Sequence, residues 1–425
     1  MGGTIDPDQV EVVAAELGLK TDIEQVFVTS FELGIMGYDD LGWSFSAVEY
    51  EAETRRLSQE SGRWSVIHRV CASLVPDDGD VSMPASERRY VHLDMAGAEE
   101  EAVVELAQAV DDHLGASAYE RAGALADELE RRLAMLGAAP DDRRRIRAAA
   151  ARLDVMRFTG RLNDAVETAA GMEKRVATCA DPLARADALR SMGNVKYLSG
   201  DYKAATALFD QAFRFAQGDD LLLAKLYHGA AWFHSNHSRN EAALKAYNLS
   251  VDHARAANSL RDVAWGLHGI AELKARERET EGRRVAEEAR DTFAAAGSRT
   301  GWALAVQVLA EFERLDGDYL EAERLYVLAA DTLHHVGSIV EAMVRGRLAV
   351  LYYVMGDNRA ALAQARAARE AVGHGMSLPA RLYMDLVLMT LETSEDRRRE
   401  HREIARSLIA RTGFKHPDFD LFDLT

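Results

Sequence analysis

Met192-Gly193-Asn194-Val195-Lys196-Tyr197-Leu198-Ser199-Gly200-Asp201-Tyr202-Lys203-Ala204-Ala205, followed by Phe209 and Ala212, is the stretch on which the fold turns. It reads as a helix ending near Ser199, a turn at Gly200-Asp201, and a second helix opening at Tyr202. Gly193 and Ala205 are small where two antiparallel helices must approach closely, and Tyr202 and Phe209 fill the space beside them. A small residue then keeps returning. Ala165, Ala205, Ala243, Gly282, Ala322 and Ala361 stand 38–40 positions apart, each inside a similar two-helix pattern. A period in that range marks a solenoid, which presents a long surface instead of enclosing a reactive pocket. The expected work is therefore binding of macromolecules or peptides.

These residues resemble the tetratricopeptide repeat. A second copy runs over Leu309–Ala329, with Gly317-Asp318-Tyr319, Ala322, Tyr326 and Ala329; others lie at Gly356-Asp357 with Ala361 and Ala368, and at Gly160-Arg161-Leu162 with Ala165. Two copies depart from the pattern: Ser238 stands at the turn glycine of one, and Glu277 at that of the next, where Gly282 also replaces alanine. That stretch is where the superhelix is expected to flex. The period exceeds the roughly 34 residues of the standard repeat, as in repeats of bacterial regulatory proteins. Upstream, Gly97 with Ala102 and Tyr119 with Ala122 read as truncated versions of the same packing. The array is expected to start near Arg63 and run to about Thr412, with its longest breaks at 137–141 and 372–379.

The first sixty residues differ. Asp8–Leu17 reads as a short helix behind an Asp6-Pro7 cap, and Thr21 or Asp22 caps an amphipathic helix to about Leu33. Gly34–Phe45 then reads as two short strands around an Asp39-Asp40-Leu41-Gly42 turn. Helix, helix, hairpin is the order of a winged helix. With Trp43-Ser44-Phe45, Arg55-Arg56, Trp64–Ala72, Arg88–Leu93 and Ala96-Gly97, this region resembles the part of STAND-type signalling ATPases that follows the ATPase core, where a winged helix leads into a helical-repeat sensor arm. The expected fold is mostly α: a tetratricopeptide-like right-handed α-solenoid with a small N-terminal winged-helix-like module. The expected division is 1–60 for that module, 61–140 for a helical linker with truncated repeats, 141–412 for the repeats, and 413–425 for an acidic, aromatic tail.

Composition agrees with a helical globular chain: 48% apolar, 28% charged and only seven prolines in 425 residues. Two cysteines, Cys71 and Cys179, are too few for a disulfide scaffold. The opening MGGTIDPDQVEVV lacks a basic region followed by an apolar stretch, and no run of 18 apolar residues occurs. A cytoplasmic protein away from membranes is expected. Net charge is −18, with 20 acidic and 7 basic side chains in residues 1–100, so most of the acid excess belongs to the N-terminal region.

No sequence pattern for catalysis is present. Gly18-Leu19-Lys20-Thr21 has the wrong spacing for a phosphate loop and follows a helix. The nucleotide core of the resembled ATPases is absent from this chain, so ATP hydrolysis is not carried over. His228, His234 and His237 cluster loosely without an acidic or Cys ligand at useful spacing, and the adjacent His334 and His335 point different ways on a helix. No enzyme activity, cofactor or metal is expected.

The first helix of each tetratricopeptide pair lines the concave face. Registering on the turns places Arg147, Asp154, Arg157, Arg190, Asn194, Tyr197, Lys225, His228, Trp232, Asn236, His268, Lys274, Gln307, Glu311, Arg314, Arg347 and Tyr353 there. The residues expected to bind are Arg157, Arg190, Asn194, Tyr197, Lys225, His228, Trp232, Asn236, Lys274, Arg314 and Arg347, a basic set within an acidic protein. Arg forks grip carboxylates, and Asn can clamp a peptide backbone from both amide atoms. The set partly resembles the carboxylate clamp of chaperone-binding repeats, but Gly229 replaces the second-repeat Asn. A protein or extended, acidic peptide is the expected partner, ahead of a non-groove protein interface and a small molecule. Ligand-induced change in superhelical pitch would then alter what the N-terminal module contacts. Other readings are a transcription regulator acting through the winged helix, or a non-catalytic subunit of an ATPase, kinase or protease complex. The tail Lys415–Thr425 alternates acids with Phe and Leu. It reads as a cap over the last helices, a docking motif for another protein, or an occupant of a basic groove, with the cap favoured.

The second N-terminal helix, Thr21–Glu32, carries three acids and no Lys or Arg, which opposes DNA binding by phosphate neutralisation. Its stripe Ile23, Val26, Phe27 and Phe31 fits packing or partner contact instead. An electrophoretic shift with generic duplex at low salt is expected to show no retarded band; tight binding would overturn this reading.

Overall fold

The computed structural model describes residues 5, 7–39, 42–77, 83–372 and 378–423. The expected strand turn at Asp40-Leu41, residues 373–377 of the expected break, and Leu424-Thr425 of the tail lie outside the described residues. Packing divides the chain into two compact units, Met1–Asp112 and His113–Thr425.

The first unit opens with α1 (Pro7–Glu16) and α2 (Ile23–Glu32), followed by the antiparallel strands β1 (Met36–Asp39) and β2 (Gly42–Phe45). Asp22 caps α2 by accepting from the Gln25 N–H. The strands pair Met36 with Phe45 and Tyr38 with Trp43. Trp43 is the hub: the rings of Phe27, Tyr38 and Phe31 lie 5.0, 5.2 and 6.0 Å from it. Of the apolar stripe on α2, Phe27 is buried under Trp43, whereas Val26 and Phe31 are exposed. The unit continues through α3 (Val48–Glu60), α4 (Trp64–Leu74), α5 (Ala85–Met95) and most of α6 (Glu99–Gly115).

The second unit is a tetratricopeptide-like α-solenoid. Its helices are α7 (Tyr119–Met135), α8 (Arg143–Phe158), α9 (Leu162–Thr178), α10 (Pro182–Leu198), α11 (Tyr202–Phe215), α12 (Asp220–Asn236), α13 (Asn240–Ala256), α14 (Leu260–Arg276), α15 (Gly282–Ala295), α16 (Arg299–Asp316), α17 (Tyr319–His335), α18 (Glu341–Val354), α19 (Asn358–Val372), α20 (Leu378–Leu391) and α21 (Glu395–Thr412). A short 3₁₀ turn at Pro417–Leu421 follows.

Local chemistry sets the turns. Gly200, Gly317 and Gly356 take left-handed φ of 85°, 87° and 82°, closing one helix. The next residue, Asp201, Asp318 or Asp357, caps the following helix by accepting from the N–H of Ala204, Glu321 or Ala360. In the two divergent copies the same left-handed position falls on Ser238 (φ 53°) and on Arg278 (φ 58°), not on Glu277. A left-handed conformation costs a residue with a Cβ roughly 1–2 kcal/mol, which tertiary packing offsets. Gly282 supplies some of that packing: a Cβ there would lie 2.6 Å from both Lys274 Cβ and Phe312 Cζ. The repeat pattern fades at this stretch, yet the helices remain in close contact.

Glycines elsewhere receive aromatic rings in the same way. Phe209 of α11 lies against Gly193 and Gly229, Tyr247 of α13 against Gly269, and Phe293 of α15 against Gly301. Segments about 180 residues apart also meet within this unit. The Tyr119 hydroxyl donates to Thr300 Oγ1 at 2.9 Å, the Thr300 N–H to Ser117 Oγ at 3.1 Å, and the Ile339 N–H to the Phe158 carbonyl at 3.0 Å. These bonds tie the turns beside α7 and α8 to the starts of α16 and α18.

A Gly301→Ala change puts a Cβ 2.2 Å from the Phe293 ring, and overpacking of that kind costs about 1–3 kcal/mol. Gly171 in α9 is exposed, with nothing within 4 Å of an added Cβ, so Gly171→Ala is expected to stabilise by about 0.5–1 kcal/mol. Urea denaturation of both variants measures the contrast; equal midpoints would contradict the packing described.

Candidate functional site

The even-numbered helices from α8 to α20 are the first members of their pairs and form the inner face. Side chains three or four residues apart share a face of a helix, so Gln307, Glu311 and Arg314 of α16 line up there, as do His268, Glu272 and Arg276 of α14. The repeat period carries the same register onward, from His228 to His268, Gln307 and Arg347.

Most charges on this face are already paired. Asp154 of α8 receives Arg190 of α10 at 2.8 Å, and Arg190 also meets Asp187 at 2.8 Å and Ser191 Oγ at 2.9 Å. Arg157 sits 3.5 Å from Asp154, with its guanidinium 4.0 Å above the Phe158 ring. Burial alone would raise the Asp154 carboxyl; Arg190 and Arg157 outweigh it and hold the group below its usual range. Lys225 is half-buried, and its charge helps lower both Asp154 and Asp262 against their burial. Arg347 of α18 reaches across to Glu272 of α14 at 2.7 Å and lies 4.9 Å over the Tyr383 ring. Arg314 forms a two-pronged pair with Glu311, which also accepts from the Tyr326 hydroxyl at 2.5 Å.

The remaining expected residues divide into two groups. Asn194, Tyr197, Trp232 and Asn236 gather where α10 meets α12: the Tyr197 and Trp232 rings are 4.5 Å apart, and the Tyr197 hydroxyl faces Asn236. His228 lies beside the Tyr247 and Trp265 rings, at 5.7 Å from each. Gly229 stands where a clamp Asn would be, and the reason is steric, because the Phe209 ring would lie 2.7 Å from any Cβ there. Lys274 stands apart. It is two residues from both Glu272 and Arg276, on the other side of α14, and pairs with Glu279 at 2.5 Å and Glu281 at 3.8 Å. The inner position of that repeat belongs to Arg276, which turn-based register alone did not single out.

Several buried polar groups on this face have no hydrogen-bond partner among the described residues. Gln307 is 1% exposed with neither amide atom paired, and His268 is 8% exposed with Nε2 unpaired. A buried unpaired polar group costs about 1–3 kcal/mol.

The C-terminal segment lies along the same face. The Lys415 N–H donates to Ser238 Oγ at 2.8 Å; the Arg276 guanidinium sits 4.9 Å over the Phe414 ring. Asp418 meets Arg314 at 2.8 Å, His416 packs edge-on to Tyr383 at 5.4 Å, and Phe422 stacks on Tyr353 at 5.0 Å. Phe414 and Phe422 also join the core of the last helices with Val387, Ala405 and Leu408. The segment therefore covers apolar surface, as the cap reading expected, and also occupies part of the groove. Glu311, His416 and Asp418 offer metal-type donor atoms within 4.8 Å of one another. Those atoms are engaged otherwise: Arg314 bridges the two carboxylates, and His416 Nδ1 accepts from the Asp418 N–H at 3.2 Å.

No family model and no curated protein matches the chain. Solved structures do. A Rap protein complexed with Competence and Sporulation Factor matches with a TM-score of 0.55 at 13% identity, covering 73% of this chain and 89% of that one. A Signal Transduction ATPase with Numerous Domains (STAND) protein with a tetratricopeptide repeat sensor, from Pyrococcus horikoshii, matches with a TM-score of 0.56 at 11% identity. That match covers 99% of this chain, which spans 62% of the length of the ATPase. At these identities the likeness concerns the fold, a tetratricopeptide-like helical scaffold.

The inner-face histidines make stability depend on pH. Burial pushes His228 down to about 4 and His416 to about 3, with neighbouring cations adding to the effect. An unfolded histidine takes its proton near 6.5, so the unfolded chain binds more protons below that point and stability falls as pH drops from about 6.5 toward 4. Glu272 and Glu311, held low by Arg347 and Arg314 against their burial, lose stabilising charge further down and act in the same sense. Asp418, raised by burial and by Glu311, opposes them. Urea midpoints are expected to fall between pH 7 and pH 5, and less so in His228→Gln; a flat profile would contradict the buried neutral histidines.

Proposed function

We propose that this chain is a non-catalytic regulatory scaffold that binds an extended segment of a partner protein along the inner face of its repeat array. The observation that carries this reading is Gln307, buried with both amide atoms unpaired at the register position shared by His228, His268 and Arg347. A partner's backbone offers one donor and one acceptor per residue, which is what a side-chain amide needs. Arg157, Arg190, Asn194, Tyr197, Lys225, His228, Trp232, Asn236, Arg314 and Arg347 are the proposed contacts beside it, with Lys274 at the rim. The Rap likeness supports the reading, since that array is complexed with a factor.

The STAND likeness, which covers 99% of this chain, supports a second level: the array acts as the sensor arm of an ATPase-type assembly, with the helix–helix–hairpin unit as a winged-helix-like relay. The acidic α2 favours a protein contact for that unit over DNA. The chain's place is proposed as the cytoplasm.

The test begins with a partner captured by the full chain and identified by mass spectrometry. Its affinity is then measured for wild type, for Gln307→Leu, and for the Arg190→Ala, Asn194→Ala, Lys225→Ala triple variant. Replacing an unpaired buried amide by an apolar group of similar size removes the cost of leaving it unpaired. Gln307→Leu is therefore expected to keep or raise its urea midpoint and lose at least about tenfold in affinity, roughly 1.4 kcal/mol. Unchanged partner affinity in both variants would overturn the groove as the binding surface.

A further inference from the structure

We infer that the segment Phe414–Phe422 is a built-in occupant of the groove, and that the partner's binding segment shares its chemistry, a carboxylate flanked by aromatic rings, and displaces it. The inference rests on the groove reading above and names its ligand and its gate.

The first support is where the segment's contacts go. It leaves α21 at Gly413, which takes φ 65° and turns the chain back. From there Phe414, Asp418, His416 and Phe422 reach Arg276, Arg314, Tyr383 and Tyr353, which belong to four successive inner helices, α14, α16, α20 and α18. The Lys415 N–H reaches Ser238 in the turn after α12, so one short segment touches four inner helices and the turn that follows a fifth. A cap serving only to cover the last helices has no need to extend to α12 and α14.

The second support is the kind of contact made. Arg276 meets a ring face, Arg314 a carboxylate, Tyr353 a stacked ring and Ser238 a main-chain N–H. Each is a general recognition mode for peptide groups. They read spacing and chemistry, so another chain carrying Phe, Asp and Phe at four-residue intervals meets the same partners.

The third support is that the resident segment fits with a built-in conflict. Arg314 is shared between Asp418 and Glu311, so two buried carboxylates face one guanidinium. Arg276 and Arg347 are the other cations near this cluster, and His416 stays neutral within it. The segment is held by the buried Phe414 and Phe422 rings and by its short link to α21, which adds a local concentration in the millimolar range. An untethered segment must compete with that, and its apparent affinity falls by the fraction of groove left open.

The experiment uses the full chain and a fluorescent peptide with the sequence of Gly413–Asp423, followed by anisotropy. Wild type is expected to bind it weakly. Phe422→Ala and Asp418→Asn, made singly and together, are expected to raise affinity tenfold or more, and Arg314→Ala added to the double variant to remove the gain. Hydrogen exchange on the same proteins should show residues 414–422 losing protection in the released variants while α16 and α18 keep theirs, which separates release from unfolding. Equal peptide affinity in wild type and released variants, still sensitive to Gln307→Leu, would overturn the gate and leave the groove reading standing. No peptide binding in any form, with the captured partner still dependent on Gln307, would overturn the ligand chemistry alone. Indifference of both peptide and partner to Gln307 would bring down the groove reading as well. Concentration-dependent dimers abolished by Phe422→Ala would show the segment exchanged between copies, and would count against displacement by a partner.

Discussion

The constraint on which the repeat array depends is the close approach of paired helices at residues too small to keep them apart. Ala205 and Ala322 are fully buried at such crossings, and Gly269 and Gly301 receive the Tyr247 and Phe293 rings where a Cβ would not fit. Close approach brings the inner helices near enough for their side chains to interact across neighbouring pairs. The inner face is therefore a surface of side-chain rows, each row contributed by one residue per repeat.

That geometry changes the meaning of the basic residues. On a sparse groove they would be free cations awaiting an anion. Here Arg190 is held by Asp154 and Asp187, Arg347 by Glu272, and Arg314 by Glu311 and Asp418. Ion pairs out of water are strongly destabilised when one partner is removed. A ligand that engages these arginines must replace an acid already present. Among the described residues of this face, Gln307 has neither amide atom paired, and His268, whose proton affinity burial lowers, has Nε2 unpaired; both are neutral groups. On the proposed reading, a ligand on this surface would bind by exchange and by hydrogen bonding to neutral atoms more than by bulk charge attraction, and an acidic segment against the chain's own inner face is consistent with that.

Much of this was legible in the sequence. The Gly-Asp turn at 200–201 appeared as a left-handed glycine and an aspartate cap, and the small-residue period located the crossings. The divergent copy was legible only in part: the left-handed residue is Arg278, since the turn there is shifted by one position. Lys274 illustrates the same limit. Register counted from turns carries an error of a residue or two, and two residues rotate a side chain to the far side of a helix, which is why Arg276 holds the inner place.

What the sequence by itself determined is the repeat and its regular turns; which helix of each pair faces inward was implied by the resemblance to tetratricopeptide arrays. The repeat and its turns follow from contacts between residues close in the chain, where spacing and residue size act directly. Only the tertiary structure decided the partners of the inner charges. Arg190 and Asp154 are 36 residues apart, Arg347 and Glu272 are 75, and Arg314 and Asp418 are 104. It also decided that the C-terminal segment lies in the groove as well as over the last helices. Such pairings depend on how successive repeats rotate about the superhelix axis, and that rotation is the sum of many small packing angles that no single residue encodes.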